Sequence, residues 1–157
     1  MTSTFLRLPI DGDIIRHGKE NQITKEQFAE LVEALLDDDN VVEFGWHQYT
    51  PYFNDGETCV FGASSLWIRT VADADVEIDD GDELSMWAHP SLSGSRWEGG
   101  RKVTYDVTMP DTARAAHALD QAIDRGSADA VLLELFGDHA NVTVTKSGIS
   151  VEFYSHD

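Results

Sequence analysis

Cysteine is almost missing from this chain: Cys59 is the only one in 157 residues, so no internal disulfide can form. Lysine is scarce, with four residues, and 11 basic side chains stand against 29 acidic ones, for a formal net charge of −18. Such a field repels nucleic acid, whose binding depends on Lys and Arg neutralising phosphates, so no direct nucleic-acid binding is expected. Long hydrophobic runs are missing as well. The stretch from Val131 to Phe136 is interrupted at Glu134, far short of the ~20 apolar positions of a membrane helix. The N-terminal MTSTFLRLPIDGD lacks the basic stretch and apolar core of a secretory signal, which predicts a cytoplasmic protein without membrane association.

The familiar catalytic and ligand-binding signatures are also lacking. There is no HExxH, no paired CxxC, no GxSxG and no GxGxxG, and Gly99-Gly100-Arg101-Lys102 does not complete a Walker pattern. His47, His89, His139 and His156 are too widely spaced to form a local metal motif. The acidic run around Asp75 fails as an EF-hand, because its sixth and twelfth loop positions hold Asp80 and Met86. Neither a metal nor a cofactor is expected.

What is present predicts a single acidic α+β domain over residues 1–157, long enough to bury roughly 70% of its unfolded surface without staples. Thr24 followed by Gln27 is a capping box, and Phe28, Leu31, Val32, Leu35 and Leu36 form a helical stripe, giving a helix over about 25–37. Three carboxylates, Asp37 to Asp39, sit at its C-terminal end, opposed to the helix dipole and therefore either solvated or met by a cation. Val42, Phe44 and Trp46 alternate with polar partners, and a second run reaches Arg69, so a central hairpin spans about 41–69. Asp111 or Thr112 is expected to cap a helix stopped at Gly126, and Ser127 a shorter one, making a helical pair over about 112–136. A second hairpin follows over 141–154, with Val142 and Val144 facing Ile149, Val151 and Phe153. The two hairpins are expected to form an antiparallel sheet packed by these helices. Short strands or an extended arm are expected between Phe5 and Ile15, and the stretch from Leu84 to Lys102, with its Ser/Gly-rich run, reads as a long, partly irregular loop.

Two regions offer themselves as binding surfaces. QYTPYFNDGETC joins the strands of the central hairpin, and its Pro51 and Asn54-Asp55-Gly56 are turn chemistry, whereas Tyr49, Tyr52 and Phe53 supply rigid aromatic contact area. Asp73, Asp75, Glu77 and Asp79 alternate along ADADVEIDDGDE, predicting an edge strand or an extended segment whose outer face is all carboxylate. A regular hairpin register would also set His47 across from Cys59, with Glu43 on the same face, an arrangement that could lower a thiol pKa. A free cysteine buried as a small hydrophobe is the commoner outcome.

The stretch from Trp46 to Cys59 and the C-terminal LFGDHANVTVTKSGISVEFYSHD resemble a group of small proteins met in tailed-phage and prophage genomes. That group carries W-x-Q-Y-T-P-Y-F-N-D-G-[DE]-x-C near its middle and F-G-D-H-x-x-V-T-V before a Y-x-H-D-like end. The matching positions are Trp46, Gln48 to Gly56, Cys59, Phe136 to His139, Tyr154 and His156. The resemblance implies a viral or prophage origin, with the host cytoplasm or the virion as location, and implies no activity. The expectation is an accessory protein that contacts a host or viral protein through the aromatic loop, with Asn54 and Asp55, and the acidic face; its oligomeric state stays open. Two alternatives remain: a hydrolase or metal-dependent enzyme with Asp55, His139, Asp138, Cys59 and His47 converging, and a DNA-mimic inhibitor of a host DNA-binding protein.

Overall fold

The computed structural model of the chain describes residues 3–5, 8–10, 22–51, 59–77, 84–86, 89–104 and 107–155. Thr24 opens the first helix, α1 (Lys25–Leu36). Its hydroxyl accepts the Gln27 N–H while the Gln27 side chain accepts the Thr24 N–H, which completes the capping box. Phe28, Val32 and Leu35 are the buried face of the stripe. The acidic end of α1 meets a cation: the Lys146 ammonium donates to the Leu36 carbonyl, one of the acceptors the helix leaves over, and to the Asp38 carbonyl just beyond the helix.

Strands β1 (Ser3–Phe5) and β2 (Leu8–Ile10) pair antiparallel as a separate ribbon. The main sheet has four antiparallel strands, β3 (Val41–Tyr49), β4 (Gly62–Thr70), β7 (Ala140–Thr145) and β8 (Gly148–Phe153), in the order β4-β3-β7-β8. The two expected hairpins are therefore fused edge to edge, with Glu43 opposite Thr145 and Gln48 opposite Ala140. Between β4 and β7 in sequence lie the short hairpin β5 (Ser95–Glu98) and β6 (Arg101–Thr104), then α2 (Pro110–Asp124) and α3 (Asp129–Phe136). One apolar cluster joins the helices to a single face of the sheet and includes Leu35, Phe44, Ile68, Leu119, Leu132 and Val142.

Several expectations are corrected. Strand β5 and its partner occupy part of the stretch read as loop, because Gly99 and Gly100 at φ 56° and 80° build a two-residue turn that ordinary residues resist. Helix α2 begins on Pro110 with no side-chain cap, its first orphan N–H being removed by the proline itself, so neither Asp111 nor Thr112 serves as cap. Ser127 does not cap α3 either; its hydroxyl donates to the Ala122 carbonyl and Ala128 holds the cap position. Val42 leaves the face of Phe44 and Trp46, since an extra residue in β3 between Val41 and Glu43 shifts the register and turns Val42 outward. A second bulge lies in β4, where Ser65 at φ 64° and Leu66 together oppose Trp46.

The expected acidic edge strand is absent from the described part of that segment. Val71–Asp73 is instead a short 3-10 turn, and Asp73 is buried rather than facing solvent. Its carboxylate accepts the Thr70 N–H and hydroxyl at 3.1 and 2.6 Å and the Ser91 hydroxyl at 3.2 Å. A capping box at Thr70 competes with strand extension here and wins, because it gives a buried carboxylate three donors.

Candidate functional site

The two motif stretches meet at one place. The indole N–H of Trp46 donates to Gln48 Oε1 at 2.9 Å, and Gln48 Nε2 donates to the carbonyls of Leu132 and Gly137 at 2.8 and 2.7 Å. Gln48 is fully buried, so these bonds satisfy each polar atom of its amide and fasten the end of α3 to the sheet. Next to it, Asp138 accepts the Thr50 N–H and hydroxyl, both at 2.7 Å, and the N–H of His139. Burial pushes the Asp138 pKa upward, but the bonds from Thr50, together with His139, outweigh it and leave the carboxyl below its ordinary value. Phe136 closes the corner edge-on to Trp46.

On the sheet face away from the helices, His47 and Tyr154 stack with ring centroids 4.5 Å apart and planes within 3°. Tyr49 leans on both rings. The register places Ser64, not Cys59, across from His47, because β4 begins only at Gly62, which pairs with Tyr49. Ser64 Oγ and His47 Nε2 lie 3.2 Å apart. Cys59 is half-buried outside the strand. Glu43 is bound to Arg69 at 3.1 Å.

The expected site residues are thus divided. His47, Tyr49, Asp138 and His139 belong to the junction and its flank, and Asp138 and His139 approach to 3.7 Å. Asp75 and Glu77 are exposed, whereas Asp73 is buried and unavailable to a partner. Tyr52, Phe53, Asn54, Asp55, Asp79 and His156 lie outside the described residues. Among the described residues no group of three or more His, Cys, Asp and Glu is placed to hold a metal ion, and no helix is long and apolar enough to cross a membrane.

The least explained apolar surface lies elsewhere, on β8. Ile149, Val151 and Phe153 stand opposite Val144, Val142 and Ala140, all three buried, so both rows point to the helix side of the sheet. The helices cover the β7 row and stop there. Phe153 is 71% exposed, Ile149 52% and Val151 47%. Beside the strip, Phe28, Val32, Leu36, Leu135, Phe136 and Ile149 line an apolar groove of about 260 Å³ between α1, α3 and the sheet. β8 is also the last strand of the sheet, so its outer backbone edge pairs with no described element. The sequence offered the strip without its meaning, because alternating apolar residues look alike whether their own helices or another chain will cover them.

No family model, no curated protein and no solved structure matches the chain.

Proposed function

We propose that the chain is a viral or prophage-encoded accessory protein that works by protein–protein contact, taking up an extended segment along β8 by strand addition. The observation that carries this reading is the coincidence of a strand edge unpaired among the described residues with a row of exposed apolar side chains and an adjoining apolar groove. Soluble proteins usually blunt such an edge with proline, lysine, a bulge or an inward-pointing charge. The β8 sequence GISVEF carries none of these on its helix-side face, and its one charge, Glu152, points to the other side. Backbone bonds would supply affinity, and alternate apolar side chains lodged against the strip and groove would supply selectivity. The viral origin rests on the motif resemblance alone, and the junction that those motifs build fixes the β7–β8 hairpin to the rest of the sheet.

Selection from a displayed library of extended peptides tests the reading. Selected peptides should carry apolar residues at alternate positions, and Val151→Pro should release them. Peptides bound equally by the Val151→Pro protein would overturn it, as would failure to select any.

A further inference from the structure

Resting on the strand-addition reading, we infer that the segment received by β8 is the β8 of a second copy, paired antiparallel about a two-fold axis at Val151. The joined molecule has one continuous sheet of twice four strands, with both helix layers on the same side.

Three features of β8 favour itself as partner. The first is hydrogen-bond phase. Tyr154 N–H donates to the His139 carbonyl at 2.7 Å, and the two residues stand opposite in the continuation of the β7–β8 register. Bonded and non-bonded pairs alternate along an antiparallel ladder, so Ser150 and Glu152 bond back to β7. Ile149, Val151 and Phe153 then turn their N–H and C=O groups to the free edge. A two-fold axis at Val151 makes Val151 a bonded pair with itself, flanked on each side by an Ile149–Phe153 bonded pair. All outward groups of the three residues find partners.

Side-chain complementarity is the second feature. The same axis sets Ile149 beside the larger Phe153 of the second copy on the helix side, where the exposed row of each copy covers the other. On the opposite face Glu152 meets Ser150 rather than another Glu152, which avoids a like-charge pair in a chain already at −18. The third feature is area. A stable interface needs about 800 Å² from each partner. The ladder edge and three side chains begin it, and the groove beside Ile149, including the exposed Leu135, extends it.

Sedimentation of the full chain over a wide concentration range tests the inference. The mass should double from 17.4 kDa as concentration rises, and more readily in high salt, which screens the repulsion between two acidic copies. Val151→Pro should remain a single chain with an unchanged circular dichroism spectrum, because the N–H it loses points away from β7. A second variant guards against misfolding: in a Cys59→Ser background, Val151→Cys should oxidise to a disulfide-linked pair. Opposed residues of a bonded pair lie about 5.5 Å apart at Cα, inside disulfide range. Ser147→Cys in the same background should link far more slowly. A single-chain mass at every concentration, or equal linking by the two cysteines, overturns the self-pairing. If Val151→Pro nevertheless releases selected peptides, strand addition stands and only the identity of the partner falls; if it does not, both fall.

Discussion

Gln48 Nε2 reaches the Gly137 carbonyl at 2.7 Å, and this contact between residues 89 apart in sequence ties the central hairpin to the turn that launches β7. The same amide holds the Leu132 carbonyl and, through its oxygen, the indole of Trp46. Gln48→Leu keeps the volume and leaves the buried Trp46 N–H, the buried Leu132 carbonyl and the half-buried Gly137 carbonyl without this partner. At roughly 1–3 kcal/mol for each buried polar group left unsatisfied, the variant should lose about 3 kcal/mol. Urea denaturation monitored by Trp fluorescence measures it, and a loss under about 0.5 kcal/mol would show that the amide is not a fastener.

His89 predicts how stability depends on pH. Its ring is fully buried; Nε2 lies 2.6 Å from the Ile68 carbonyl, while Nδ1 accepts the N–H groups of Ser91 and Leu92. That set of bonds requires the neutral ring protonated at Nε2. Burial lowers its pKa below the ordinary 6.5, against the opposing pull of the Ile68 bond and of Asp73. Below pH 6.5 the unfolded chain takes up the proton first, so stability should fall as pH drops from 6.5 towards the lowered folded value. Above 6.5 both states hold a neutral ring and His89 contributes no slope. His89→Gln should be less stable at neutral pH, with the slope in that window reduced; equal slopes in the two proteins would refute the assignment.

Periodicity and capping chemistry made the frame of the fold legible. Thr24 with Gln27, the stripe from Phe28 to Leu36 and the alternation from Val142 to Phe153 each depend on residues near one another in sequence, and each element formed where expected. What misled depended on longer-range competition. Asp73 alternates with apolar residues as an exposed strand would, but three donors from Thr70 and Ser91 draw it inside. His47 meets Ser64 instead of Cys59 because β4 resumes only at Gly62, opposite Tyr49, five residues later than a short loop would give, and no local pattern announces where a strand resumes. The β8 surface was hidden for a different reason. Ile149, Val151 and Phe153 satisfy the rule for a core strand, and only the extent of the helix layer decides that they remain uncovered.

Gly45 has a clear packing role. It sits in the middle of β3, where a residue with a side chain would be the ordinary choice. A Cβ there would collide with the Val142 carbonyl oxygen of the neighbouring strand and lie 3.0 Å from two atoms of the Trp67 ring, Cζ2 and Nε1. The indole can swing aside but the carbonyl belongs to the β3–β7 ladder and cannot move without breaking it. Gly45→Ala should therefore destabilise the chain by at least about 2 kcal/mol, in the range of overpacked cores, despite alanine's smaller entropy cost on folding. If β7 is forced outward it carries β8 with it, so the variant should also lose the binding assigned to β8, and hydrogen exchange along Ala140–Thr145 should quicken. An alanine variant as stable as the parent would mean that the β3–β7 pairing is looser than the close approach of Gly45 requires.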